Sequence, residues 1–201
     1  MTLYRVLTKI VNGFCHIAFK YEIIGKENIC DQGNIVIAAN HKNLWDPVFI
    51  ACSVMNREIA AIAKKELFKN KLFGAFLKKL NVIPINRTKP EVSTIKSIIK
   101  SVKDGYVLGI FPEGTRVKND DFGQAKAGLG LFAIKTKSTI VPVTIYSDYK
   151  FFGRVTIYID KPVDISEYFG QKLKNEDYEK ISQNIMDIIE ANYNKIKTNN
   201  L

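Results

Sequence analysis

Apolar residues follow two rhythms along this chain, and the change comes near residue 20. Over the first 21 positions the rhythm is helical. At 100° per residue, Leu3, Tyr4, Val6, Leu7, Ile10, Val11, Phe14, Cys15, Ile17, Ala18 and Tyr21 gather on one half of the wheel, opposite Arg5, Lys9, Asn12, Gly13, His16 and Lys20. A wide apolar face opposite a basic one suits a helix packed on the body of a domain, and equally one lying in a membrane interface. Residues 1–20 are set apart as an amphipathic helix, with membrane docking as its expected function, and 21–201 as the domain behind it.

Beyond that boundary the pattern becomes short apolar runs separated by helical stretches. The runs Tyr21 to Ile24, Ile35 to Ala39, Ile59 to Ala63, Val82 to Ile85, Val107 to Ile110, Ile140 to Ile145 and Val155 to Ile159 read as buried strands. Asp46-Pro47 predicts a helix start, with Asp46 as N-cap and a proline in the first turn. Pro90 with Val92, Ile95, Ile98, Ile99 and Val102 marks a second helix, and Ile181, Ile185, Ile188, Ile189, Tyr193 and Ile196 a last one. The alternation predicts an α/β fold: a mixed, largely parallel sheet flanked by helices, preceded by the amphipathic interfacial helix.

With 201 residues, 46% of them hydrophobic, the chain can bury one sizeable core. No linker, low-complexity tract or repeat divides it. Thirty Lys and Arg against 20 Asp and Glu give a net charge of +10, which implies anionic partners: nucleic acid, anionic lipid or a phosphorylated substrate. Lys64, Lys65, Lys69, Lys71, Lys78 and Lys79 crowd a stretch whose only acid is Glu66, either a solvated helix face or a docking surface. Cys15, Cys30 and Cys52 have no metal-site spacing and cannot all pair, so a reducing cytosolic setting and a role as small apolar fillers are expected. Neither a signal peptide nor an 18-residue apolar span is expected.

Two motifs carry chemistry. Asn40-His41-Lys42-Asn43-Leu44-Trp45-Asp46-Pro47 follows an apolar run, so His41 sits just past a strand end and Asp46 five residues on. A loop of that length can bring the carboxylate to one imidazole nitrogen and leave the other to take a proton from a hydroxyl. Taken alone, Asp46 as a helix cap and His41 as a hydrogen-bonded structural residue explain the same letters. Phe111-Pro112-Glu113-Gly114-Thr115-Arg116 also follows a strand, and joins amides that can approach an anion to a guanidinium that can grip phosphate in two places. Val82-Ile83-Pro84-Ile85-Asn86-Arg87 adds an arginine at a third strand end.

With these blocks in this order, the chain resembles the glycerolipid acyltransferases of the 1-acyl-sn-glycerol-3-phosphate (lysophosphatidic acid) acyltransferase type, over roughly residues 20 to 165. The resemblance implies that 21–201 is a glycerolipid acyltransferase domain in which His41 is the general base and Asp46 its orienting acid. Arg87, Glu113 and Arg116 would hold the glycerol phosphate with the amides around Gly114 and Thr115. Lys64 would stabilise the thioester oxyanion, and Pro142, in the Val-Pro block, would shape the acyl-donor side. The reaction so implied moves an acyl group from acyl-CoA or acyl carrier protein to the sn-2 hydroxyl of lysophosphatidic acid. It needs no metal and no cofactor beyond that donor, and takes place peripherally on anionic lipid at the cytoplasmic face of the cell membrane. Asn43 and Asn86 stand where Ser and Asp are frequent in the family, which leaves glycerol 3-phosphate or another lysolipid open as acceptor. Two other classes fit less of the sequence. A nucleic-acid-binding module lacks aromatics interleaved with its lysines, so no nucleic acid partner is expected, and a metal-dependent hydrolase would use His41, Asp46 and Glu113 as ligands.

Overall fold

In a computed structural model, which describes residues 1–86, 91–118 and 121–198, the seven apolar runs form seven strands. They are β1 (Lys20–Ile24), β2 (Ile35–Ala39), β3 (Ile59–Lys64), β4 (Val82–Ile85), β5 (Val107–Ile110), β6 (Thr139–Ser147) and β7 (Arg154–Ile159). They make one sheet in the order β1-β7-β6-β2-β5-β3-β4. All neighbours are parallel except β6 and β7, whose antiparallel register sets Val143 against Ile159 and Ser147 against Val155. The sheet is therefore mixed, and β1 and β7 run against the other five strands.

Among the described residues six α-helices cover it: α1 (Leu3–Ala18), α2 (Asp46–Ser53), α3 (Lys71–Lys79), α4 (Val92–Lys103), α5 (Gly128–Thr136) and α6 (Asn175–Lys197). Helices on both faces explain why β2, at the centre, reads Ile-Val-Ile-Ala-Ala with every residue buried. Odd positions such as Ile35, Ile37 and Ala39 enter a core with α1 and α2, while Val36 and Ala38 enter a second with α4, α5 and α6. A fully buried side chain such as Ile37 or Phe49 contributes about 1.5–3 kcal/mol. Periodicity does not announce α3 or α5. α3 is short and laden with lysine, and α5, buried on most sides, has no polar stripe to mark a period.

The wide apolar face of α1 is split. Tyr4, Cys15 and Ala18 pack inward, where Cys15 and Cys52 share a buried setting, and burial pushes the Cys52 thiol up to about 12. Leu3, Ile10, Phe14 and Ile17 stay exposed, Ile10 at 63% and Ile17 at 77%. Cys30, expected as a filler, is exposed. Pro142 is buried in β6, where its carbonyl accepts the Asp160 amide. Pro90 lies outside the described residues, and α4 begins at Val92.

Because β2, β5 and β3 are parallel, their carboxyl ends meet at one edge of the sheet. β1 and β7 run the other way, so the end of α1 and the β6–β7 loop arrive at that same edge. The fold thus brings four loops and one helix end together where the motifs sit.

Candidate active site

Asn40 anchors the loop that leaves β2. Its buried carboxamide donates to the Ile145 carbonyl at 2.9 Å and accepts the Ile145 amide at 2.8 Å, clamping the loop to β6. His41 comes next, with its Nδ1 3.0 Å from Asp46 Oδ2. Because an ionised carboxylate only accepts, the proton of this pair belongs on Nδ1, which leaves Nε2 as the acceptor nitrogen.

Asp46 is fully buried, and it is not the helix cap that the sequence suggests. α2 starts at Asp46 itself, the preceding Trp45 makes no side-chain cap bond, and the carboxylate turns back into the loop instead. Its Oδ2 also accepts the amides of Lys42 and Asn43, each at 2.6 Å, and its Oδ1 accepts the Tyr149 hydroxyl at 2.8 Å. Four donors on one buried carboxylate offset the cost of removing its charge from water and fix its plane.

Glu113 is placed as a brace under the histidine. Its Oε2 accepts the His41 amide at 2.9 Å and its Oε1 the Gly123 amide at 3.0 Å, with the side chain buried. With both oxygens taken, Glu113 does not offer itself to a phosphate, and its expected part in the phosphate grip is corrected accordingly. Burial raises its carboxyl above the ordinary range, while those two amides and the charge of Lys42 pull it back. The same segment also holds the other side of His41, because the Val117 amide donates to the His41 carbonyl at 2.9 Å.

Three contributors play parts that the motif readings do not assign. Phe111 stacks on the His41 ring with centroids 4.1 Å apart, fixing the face of the imidazole. Tyr149 comes from the β6–β7 loop, far away in sequence, and burial and the Asp46 charge raise its phenol. Lys126, just before α5, lies over Gly114: a Cβ on that glycine, whose φ is +67°, would meet the lysine Nζ at 3.4 Å. Phe111 opens the second motif, but its place there does not say that it stacks on His41, and no short motif contains Tyr149 or Lys126. A cleft of about 630 Å³ is lined by Phe111 and Gly114, by the apolar Ile85, Leu129 and Phe132, and by the charged Lys126 and Glu179.

The structure joins His41, Asp46 and Glu113 directly. Thr115 and Arg116 are exposed beside the Gly114 turn, and Lys64 is exposed at the end of β3, none of them bonded to the dyad. Arg87 lies outside the described residues. His41, Asp46 and Glu113 do not fit a metal ligand set, because N–H and O–H donors already occupy the carboxylate oxygens. An imidazole oriented by a buried acid, beside an apolar cleft, is suited to taking a proton from an alcohol attached to an apolar chain.

The family profile described as Acyltransferase matches residues 20–146. A 1-acyl-sn-glycerol-3-phosphate acyltransferase of Bacillus subtilis (strain 168) is 34% identical over 152 residues, spanning 73% of this chain and 75% of its own length. One from Streptococcus pneumoniae is 34% identical over 158 residues, 76% of this chain and 58% of that protein. Among solved structures, the 1-acyl-sn-glycerophosphate (LPA) acyltransferase PlsC from Thermotoga maritima matches with a TM-score of 0.75 at 25% identity, over 96% of this chain and 78% of that one.

Proposed function

The chain belongs to the Acyltransferase family, and from that premise we propose that it transfers a fatty acyl group to the sn-2 hydroxyl of 1-acyl-sn-glycerol 3-phosphate, giving phosphatidic acid. The observation that carries the proposal is the His41–Asp46 pair at 3.0 Å, its acid saturated by donors. His41 Nε2 takes the proton of the sn-2 hydroxyl as that oxygen attacks the thioester carbonyl. The tetrahedral intermediate collapses, the C–S bond breaks, and the leaving thiolate receives the proton from His41. The donor is a thioester of coenzyme A or acyl carrier protein, and no acyl-enzyme forms.

Arg116 is assigned to the acceptor phosphate together with Arg87, the amide at Thr115 lending a further donor while that of Gly114 closes the turn onto the Phe111 carbonyl, and Lys64 to the thioester oxyanion. The exposed apolar stripe of α1, with Ile10 and Ile17 outermost, supports peripheral docking of residues 1–20 on an anionic membrane at its cytoplasmic face. Among the described residues no helix is long and apolar enough to cross a bilayer. Glycerol 3-phosphate and other lysolipids are the alternative acceptors, left open by Asn43 and Asn86 at the family's Ser and Asp positions.

Mass spectrometry of products from a panel of lysolipids and glycerol 3-phosphate, each offered acyl-CoA and acyl carrier protein donors, tests the reading. Phosphatidic acid from lysophosphatidic acid is expected, and acylation of another acceptor in its place would overturn the substrate assignment.

A further inference from the structure

We infer that α3 is a second lipid-contacting helix, which lays an apolar face rimmed by lysines on an anionic bilayer at the edge of the sheet that carries the catalytic dyad. The helix rests on the chain through Gly74, its one buried residue, where an added Cβ would meet the Phe68 carbonyl oxygen at 3.0 Å. This contact turns Leu72, Phe73 and Phe76 outward. Leu72 is 86% exposed, and the rings of Phe73 and Phe76, 46% and 42% exposed, stack with centroids 6.4 Å apart. Large apolar side chains grouped on one short helix mark a surface built to be covered.

Charge identifies what covers it. Lys71, Lys78 and Lys79 border the apolar residues on the same helix, and Glu66 is the only acid from Lys64 to Lys79. A second copy meeting this face would set lysine against lysine, whereas an anionic bilayer takes apolar side chains into its acyl boundary and lysines at its headgroups together. Position agrees as well. α3 follows the carboxyl end of β3, and the exposed end of α1 reaches that same edge from the far side of the sheet. Two lipid contacts flanking the site would hold its mouth against the surface from which a lysolipid arrives. The inference extends docking through α1 without depending on it.

Flotation with vesicles of phosphatidylglycerol and phosphatidylcholine, and with phosphatidylcholine alone, provides the test. Leu72→Gln with Phe76→Gln should lower partitioning onto the anionic vesicles at least about tenfold, given the apolar area removed. It should leave the melting temperature, and turnover of a monomeric short-chain acceptor, unchanged. Lys78→Gln with Lys79→Gln should weaken binding by about tenfold or more, on anionic vesicles only. A nitroxide at residue 72 (Leu72→Cys with Cys30→Ser) should, on the bound protein, meet dissolved oxygen and be shielded from a water-soluble relaxant. Unaltered partitioning of both pairs, or a nitroxide that stays in water on the vesicle, overturns the inference. So does a wild-type dimer that the Leu72 and Phe76 changes dissociate with vesicle binding untouched. Ile10→Gln with Ile17→Gln, run in parallel, separates the two helices: if it alone releases the protein, α1 docks and α3 does not.

Discussion

Tyr149 donates its hydroxyl to Asp46 Oδ1 at 2.8 Å from a backbone held at φ 55°, on the loop that also exposes Phe151 and Phe152. The bond spans 103 residues of sequence and fills the one oxygen of Asp46 that the catalytic loop does not reach. Tyr149 is therefore a positioning residue that acts on His41 through the acid. Tyr149→Phe should lower kcat on the order of tenfold and leave KM for both substrates nearly unchanged, since hydrogen bonds to charged groups are worth about 1.5–3 kcal/mol. A kcat identical to wild type would reduce Tyr149 to packing.

His41→Ala should lower turnover by at least about 10²-fold in a protein that stays folded. Asp46→Asn should lower it less in chemistry but also cost stability. The carboxamide is neutral and has one accepting oxygen for four donors; with that oxygen kept on the three N–H groups, its NH₂ takes the place of the oxygen that accepts the Tyr149 hydroxyl. Circular dichroism melts alongside steady-state rates distinguish the two effects. A folded His41→Ala variant with normal turnover would remove the general base from the mechanism.

The brace at Glu113 makes a prediction about pH. Its carboxyl is raised above the ordinary value of 4.5 in the folded protein, chiefly by burial. The folded state thus holds the proton more tightly than the unfolded chain. This contribution to stability is full below about 4.5 and is lost as pH rises through the raised value. Glu113→Gln has no such proton, so its melting temperature should lack that descent when both proteins are scanned upward from pH 4. At neutral pH the variant should be less stable by about 1–3 kcal/mol, because the amide of His41 or of Gly123 loses its acceptor. Its kcat should fall with the loosened loop. Parallel pH curves for the two proteins would contradict the assignment.

The strands were legible because each is a short apolar run closed by polar residues, and burial on both faces of the sheet writes that pattern without ambiguity. α3 and α5 were not, since one exposes apolar residues among lysines and the other hides nearly everything. In the site, His41 and Asp46 could be paired from sequence because five residues of loop permit the contact. Glu113 was given to a phosphate because a carboxylate beside Gly114 and Arg116 looks the same in sequence whether it faces a ligand or two backbone amides. Tyr149 and Phe111 act through tertiary contacts, which local spacing does not encode.

Arg116 tests which substrate the Gly114 turn serves. It is exposed beside that turn, and an arginine fork matches a phosphate in two places. Arg116→Ala should raise KM for lysophosphatidic acid more than KM for the acyl donor, and Arg87→Ala should do the same. Lysine at either position should rescue in part, a point charge without the fork. A rise confined to the donor KM would exchange the two substrate sides.

The split face of α1 sharpens the test of its docking. Ile10 and Ile17 lie outermost, whereas Phe14 stacks on Trp45 at 6.2 Å and Leu7 is half-buried, so changes at those two disturb packing as well as any lipid contact. Ile10→Asp with Ile17→Asp should release the protein from anionic vesicles and cut activity on bilayer substrate, yet spare the melting temperature and activity on detergent-dispersed short-chain substrate. Arg5, Lys9 and Lys20, on the basic side, should each add about 1 kcal/mol near anionic headgroups, an attraction that salt weakens. Cys15→Asp provides the contrast, because that side chain is fully buried between α1 and the core and a charge there should unfold the protein and abolish both activities together. If the two isoleucine changes behave like Cys15→Asp, lowering both activities and the melting temperature, α1 is a packing helix and its exposed stripe has no part in docking.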